Sequence, residues 1–247
     1  MSTTTHPRLD QIRPLIIVAN LIVIALAIVL GLVTTGKPSR YFGEGRFTTI
    51  ISCGQLLAIA FLSGRIFLMR RPVAAPLGPV SAAWIWGLIA VGFAFLAADD
   101  AFEIHERLDR IIHEAFHMQE TGWTDRLDDM IIAAYGVVGF SLLWLFREEI
   151  LFFTPMRRPM GTGFLCLLAS VVCDTISNDD QFLVWLLDDP ATAKRLNIWF
   201  AVGDGGFTLL AEGFFLVAFY LSYRTIHEPA PVSRQGAPDV RPFAGTD

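Results

Sequence analysis

Charged residues are scarce in this sequence, since Asp, Glu, Lys and Arg together make up 17% of its 247 residues. Soluble domains carry about a quarter of such residues, so the shortage argues against an ordinary soluble fold. Lys and Arg (19) are also fewer than Asp and Glu (24), and the net charge of −5 provides no basic field for nucleic acid. We therefore expect no nucleic-acid partner.

Cysteine is scarce as well. The three cysteines, Cys53, Cys166 and Cys173, lie inside apolar segments, and no two of them have the Cys-x-x-Cys spacing. Cysteines in such segments pack as small apolar side chains. We therefore expect neither disulfides nor a cysteine-ligated zinc ion.

Apolar residues, in contrast, are abundant and come in long runs. They make up 53% of the chain, and the mean hydropathy is +0.51. A bilayer core about 30 Å thick accepts roughly 20 such residues as one helix. We predict an all-α integral membrane protein with a bundle of about six transmembrane helices, near residues 14–35, 47–66, 80–98, 130–147, 160–176 and 199–223.

The fifth predicted span is the weakest, because Asp174 and Asn178 precede a second apolar piece at 182–187. It is either one helix with polar insertions or a broken element, which persists at membrane depth only where protein or a water-filled cavity satisfies its backbone. The stretch 227–247 contains four prolines and is expected to be a disordered cytoplasmic tail. Residues 1–226 then form the polytopic transmembrane domain.

The distribution of Lys and Arg predicts the orientation. With a cytoplasmic N-terminus, eleven of them lie inside and eight outside, and the pairs Arg70-Arg71 and Arg157-Arg158 both lie inside. We therefore expect both termini in the cytoplasm and the chain in a cell membrane, by preference a bacterial inner membrane.

Polar residues within the predicted spans collect toward one end of the bundle. They recur at helical spacings of three and four: Thr48, Ser52 and Gln55; Ser170, Asp174 and Asn178; Asp204, Thr208 and Glu212. A carboxylate at membrane depth is costly unless it faces water, a partner or a metal. We predict that Asp174 and Glu212 line a cavity with Asp100, at the end of the third span. The alternative is internal pairing that only holds the bundle together.

The segment at 99–119 has the densest set of ionisable residues. One helical stripe carries Asp99, Glu103, Glu106, Arg110, His113 and His117, and the opposite face is apolar. This pattern predicts an amphipathic helix that lies on the outer membrane surface or covers the mouth of the bundle.

Residues 113–117 of this helix read H-E-A-F-H. On a helix, the H-E-x-x-H spacing lets both imidazoles bind one zinc ion while the glutamate activates the metal-bound water. These five residues resemble the signature of the zincin metallohydrolases. The resemblance implies a zinc site at His113 and His117 with Glu114 as the catalytic base.

A carboxylate would have to complete such a site, since no further histidine motif follows. Arg110 and Gln119 also depart from the uncharged, apolar flanks of the zincin signature. The carboxylates available as a third ligand are Glu120, Asp128, Asp174 and Asp204.

A second arrangement combines Asp100 with His105 and Glu106. These residues could bind a divalent metal together with Asp174 or Glu212, and Glu106 would then be the base. The alternative to both metal sites is a solvated polar helix face.

Three functions are compatible with these residues. The first is a metal-dependent hydrolase, using zinc or another divalent metal, that acts on a lipid or membrane-proximal substrate. The second is a proton- or cation-coupled transporter in which Asp174 and Glu212 are the deepest groups, although no polar stripe continues into the inner half of any span. The third is a scaffold or assembly factor with an acidic outer helix. Membrane lipids are the expected partners in each case.

Overall fold

The computed structural model describes residues 11–43, 45–71, 82–117, 127–178 and 180–227. Within these ranges the regular secondary structure is α-helix with short 3₁₀ turns, and no strand occurs in them. The helices are α1 (Ile12–Thr35), α2 (Phe47–Arg70), α3 (Trp84–Phe102), α4 (Ile104–Phe116), α5 (Leu127–Leu145), α6 (Arg147–Phe152), α7 (Arg157–Ser177), α8 (Asp180–Leu187) and α9 (Pro190–His227). The predicted tail lies outside the described residues from position 228 onward.

Five helical segments in the described chain are long and apolar enough to cross a bilayer: Ile12–Thr35, Phe47–Arg70, Trp84–Phe102, Thr154–Ser177 and Pro190–His227. The predicted all-helical architecture is confirmed for these residues. The fourth predicted span corresponds to α5, whose apolar part, Met130–Leu145, is shorter than the other five. In contrast, α9 has 38 residues and a length of about 57 Å, which exceeds a bilayer core of about 30 Å.

The long helix α9 is the centre of the bundle. It packs most extensively against α7 and also against α2 and α1, and α2 packs against α3. Gly163 lets α7 approach α9, because a Cβ at this position would lie 2.6 Å from the Phe215 ring. Small residues at such crossings allow close backbone approach in membrane bundles.

The hydrophobic core lies at one end of the bundle, where α2, α3, α7 and α9 meet. The Trp86 ring packs edge-on against Phe153 at 5.0 Å and against Phe219 at 6.0 Å, and all three side chains are fully buried. Many apolar side chains on the outside of the bundle are exposed, such as Val33 (77%) and Leu145 (71%). An apolar exterior of this kind is typical of helices that face lipid.

The helix breaks differ from the predicted boundaries. The amphipathic helix was expected at 99–119 but begins at Ile104, because Glu103 adopts a left-handed conformation (φ 52°) and separates α3 from α4. Asp99 and Asp100 therefore belong to α3. The fifth predicted span, 160–176, lies within the continuous helix α7, and the second apolar piece at 182–187 belongs to a separate helix, α8, which begins at Asp180.

Candidate functional site

Glu212 lies inside the bundle on α9 and is only 6% exposed. Its Oε1 accepts a hydrogen bond of 2.6 Å from the Ser52 hydroxyl of α2. Its Oε2 is also buried and has no hydrogen-bond partner among the described residues. A buried polar atom without a partner is energetically costly, so this oxygen is suited to hold a proton, a water molecule or a cation.

A second carboxylate, Asp100 of α3, lies next to Glu212. The Cys53 thiol is 3.7 Å from Asp100 Oδ2, and Ser52 is close to both carboxylates. Asp100 is half-buried and interacts electrostatically with Glu212. Two neighbouring carboxylates in a poorly solvated site repel each other unless they share a proton or a cation. We refer to Ser52, Cys53, Asp100 and Glu212 as the acidic cluster.

A reciprocal amide pair connects α1 and α2 beside the acidic cluster and packs against α9. Gln55 Nε2 donates to Asn20 Oδ1 at 2.9 Å, and Asn20 Nδ2 donates to Gln55 Oε1 at 3.1 Å. Gly213 makes room for the pair, since a Cβ there would collide with the Asn20 amide nitrogen. Gln55 is one helical turn from Ser52, and the apolar core starts a further turn along α2 at Ile59. The amide pair therefore separates the acidic cluster from the apolar core.

Asp99 and His105 form a second buried polar group at the junction of α3 and α4. Asp99 Oδ1 accepts a hydrogen bond of 2.9 Å from the His105 backbone N–H, and Asp99 Oδ2 is 3.0 Å from His105 Nδ1. The backbone bond satisfies one of the free N–H groups at the start of α4. The side-chain contact fixes the orientation of the imidazole, which also interacts electrostatically with Asp100.

The residues of the H-E-x-x-H sequence lie further along α4. His113 Nδ1 is 2.9 Å from Asp109 Oδ1, whereas His117 and Glu114 are exposed. Because α4 ends at Phe116 and His117 has a positive φ of 51°, the helical spacing of the zincin signature is interrupted at its second histidine. Within the described chain, no three His, Cys, Asp or Glu side chains are close enough to hold a metal ion.

Asp174 is separated from the acidic cluster. Its Oδ1 accepts a hydrogen bond of 3.1 Å from Asn178. One turn earlier on α7, Ser170 donates to Asp204 of α9 at 2.6 Å. Since the two helices are antiparallel and Cys173 lies against Gly203, Asp174 is near the level of residue 202, about 15 Å along α9 from Glu212.

Of the residues selected from the sequence, the structure therefore places Asp100 near both Glu212 and His105, and it places Asp174, His113 and His117 elsewhere. Glu106 is half-buried on α4. Two further candidate ligands, Glu120 and Asp128, are outside the residues whose side chains the structure describes.

A family model for a domain of unknown function, DUF8692, matches residues 14–192, which is more than half of the chain. The chain belongs to this family. No curated protein and no solved structure matches it. The family match includes Ser52, Asp100 and the Asp99–His105 pair, and it ends before Glu212.

Another buried polar group, at the opposite end of the bundle, was not predicted. Arg70 donates from Nε and Nη2 to the two carboxylate oxygens of Glu149 at 2.9 and 2.8 Å, and Trp86 Nε1 donates to Oε1 at 3.0 Å. We call Arg70, Trp86 and Glu149 the inner clamp. Burial opposes ionisation of Glu149, but the hydrogen bonds from Arg70 and Trp86 and the Arg70 charge outweigh it and hold the pKa of this carboxyl below its usual value.

The sequence contains little that would have indicated these partners. Arg70 ends one span, and Glu149 follows another 79 positions later, so no local spacing connects them. Asn20 is the only strongly polar residue in the middle of α1, and this position is the one signal from which a buried partner could have been expected.

Proposed function

We propose that this protein is a multi-pass membrane protein that binds a proton or a cation between Asp100 and Glu212 and couples that binding to transport. The observation that carries the proposal is Glu212 Oε2, a carboxylate oxygen buried inside the bundle without a hydrogen-bond partner in the described chain. A bound proton or cation would satisfy this oxygen and also remove the repulsion from Asp100.

The proposed topology has six spans, with α5 as the fourth, and both termini in the cytoplasm of a cell membrane. Arg157 donates to the Leu151 carbonyl next to the inner clamp, so the Arg70-Arg71 and Arg157-Arg158 pairs lie at the same end of the bundle. Basic residues concentrate on the cytoplasmic side of membrane proteins. The amphipathic helix α4 then lies on the outer surface, near the half-buried Asp100.

The proposed ion reaches Glu212 from the end of the bundle where α3 meets α4. Asp100 is the more exposed carboxylate of the two, and Ser52 lies between them. On the other side, the Asn20–Gln55 pair and the apolar core separate Glu212 from the inner clamp. Transport therefore requires a second conformation in which α9 separates from α2, as expected for an alternating-access mechanism.

The metal-dependent hydrolase is the second candidate, and one observation favours it. Asp99 orients the His105 imidazole beside Asp100, in the manner in which a carboxylate orients a metal-ligating histidine. A divalent metal would require a conformation that brings His105, Asp100 and Glu212 closer together, since no three such side chains of the described residues lie within metal-binding distance of one another. Elemental analysis of protein purified without a histidine tag distinguishes the two candidates, since only the hydrolase requires near-stoichiometric metal that is lost in His105→Ala.

The primary test uses the full-length protein in vesicles that contain a pH-sensitive or cation-sensitive dye. We expect an ion flux that Glu212→Gln abolishes and Asp100→Asn reduces, because both variants remove the negative charge and keep the side-chain shape. Glu148→Gln is the matched control, since this glutamate is exposed and outside the acidic cluster. Absence of proton, sodium and potassium flux in the wild-type protein, or an unchanged flux in Glu212→Gln, would contradict the proposal.

A further inference from the structure

A groove on the outside of the bundle combines an apolar floor with a basic end. It has a volume of about 260 Å³ and runs between α5, α6 and α7. Its end away from the inner clamp is lined by Phe140 and Phe164, and its end toward the inner clamp is lined by Arg147, Leu151 and Met160. Arg147 is the only charged side chain among the lining residues, so the groove is amphipathic along its length.

The positive charge at this end is held in place. The Arg147 guanidinium lies 5.3 Å from the centre of the Trp144 ring, and its Nη1 donates to the Trp144 carbonyl at 3.4 Å. Arg157 Nε donates to the carbonyl of Leu151, itself a lining residue, at 3.1 Å. Two guanidinium groups are thus anchored to backbone at the same end of the groove, where each retains further N–H donors for a ligand.

The acidic residues nearby do not cancel this charge. Glu149 is already engaged by Arg70 in the inner clamp. Glu148 is exposed and follows Arg147 directly, so it projects about 100° away around α6 and is not a lining residue. The basic end therefore remains available for an anion.

From this arrangement we propose that the groove binds an anionic phospholipid, with one acyl chain along Phe140 and Phe164 and the phosphate at Arg147 and Arg157. The apolar floor suits a hydrocarbon chain, and a guanidinium fork binds phosphate oxygens through paired N–H donors. Basic pockets at the cytoplasmic side of membrane helices recognise lipid headgroups in this way. This inference does not depend on the function proposed for the acidic cluster.

The test is native mass spectrometry of the detergent-purified full-length protein with phosphatidylglycerol or phosphatidylcholine of identical acyl chains. We expect the anionic lipid to bind about fivefold or more tightly for each arginine involved. Arg147→Gln should reduce phosphatidylglycerol binding about fivefold and leave phosphatidylcholine binding unchanged. Arg71→Gln, an exposed arginine at the same end of the bundle, is the matched control and should leave binding unchanged.

A second variant tests whether the lipid occupies the groove. Leu151 is 47% exposed, so Leu151→Trp can fill the groove without disturbing the core. We expect this variant to bind both lipids more weakly than the wild-type protein does. Thermal unfolding in detergent checks that each variant is folded. Equal binding of the two lipids by the wild-type protein, equal effects of Arg147→Gln and Arg71→Gln, or unchanged binding in Leu151→Trp would each overturn the proposal.

Discussion

Two buried glutamates at opposite ends of the bundle have contrasting surroundings. Glu149 receives hydrogen bonds from Arg70 and Trp86, and a cation lies beside it. Glu212 receives one hydrogen bond from Ser52 and has a second carboxylate, Asp100, as its electrostatic neighbour. Glu149 is thus a satisfied structural group, whereas Glu212 is incomplete within the described chain. An ionisable group at membrane depth that lacks a partner within the described chain is therefore a candidate binding site for a proton or a cation.

The largest expected effect comes from removing the cation of the inner clamp. Arg70→Ala leaves Glu149 buried without its ion-pair partner and should destabilise the protein by about 3–5 kcal/mol, since an uncompensated buried charge remains. Thermal or chemical unfolding in detergent measures the change. Arg71→Ala, on the exposed neighbouring residue, is the control and should have little effect. Equal free energies of unfolding for the two variants would show that the clamp does not stabilise the bundle.

Glu212→Gln should act in the opposite direction. The amide keeps a hydrogen-bond acceptor for Ser52 and removes the repulsion from Asp100, so we expect a gain in stability of about 1–3 kcal/mol. The corresponding change at the other end, Glu149→Gln, should lower stability because it weakens the bonds to Arg70. The two glutamate variants are compared in the same unfolding assay. A loss of stability in both would remove the contrast between the two glutamates.

A glycine next to Glu212 allows a test of the amide pair. Gly213→Ala places a Cβ against the Asn20 amide and should disrupt the Asn20–Gln55 hydrogen bonds, at a cost of about 1–2 kcal/mol. Gly54→Ala on α2 meets nothing within 4 Å and should instead stabilise its helix by up to about 1 kcal/mol. Relative to the wild type, the free energies of unfolding of the two variants should therefore change in opposite directions. A shift in the same direction would show that the close packing at Gly213 is not required.

The smallest expected effect is a dependence of stability on pH. The pKa of Glu149 is lowered in the folded protein, because the bonds from Arg70 and Trp86 outweigh the opposing effect of burial. Its contribution is therefore fully present above the unfolded pKa of 4.5 and is lost as the pH falls through the lower folded value. Melting temperatures measured from neutral pH to below 4.5 should decline less in Glu149→Gln than in the wild type. Parallel curves would argue against an ionised Glu149 in the folded state.

Helical periodicity explains why the polar faces could be predicted. Ser52 and Gln55 on α2, and Asp204, Thr208 and Glu212 on α9, recur at spacings of three and four, which place them on one side of a helix. The side chain of each also points into the bundle or contacts a neighbouring helix, as such a stripe requires. The break between α3 and α4 could not be read in this way, because its geometry involves the hydrogen bond that the His105 backbone N–H donates to the Asp99 carboxylate.

The sequence by itself determined that the protein is helical and that several helices are long and apolar enough to cross a membrane, because the length and hydropathy of a run are local properties. It also placed Asp100, His105 and Glu212 among the candidate residues. Only the tertiary structure decided which residues meet. Glu212 contacts Ser52, 160 positions away, whereas Asp174, on α7, lies beside a different part of α9. These contacts depend on the packing and relative level of the helices, since residues far apart in the chain meet only where two helices cross at the same depth.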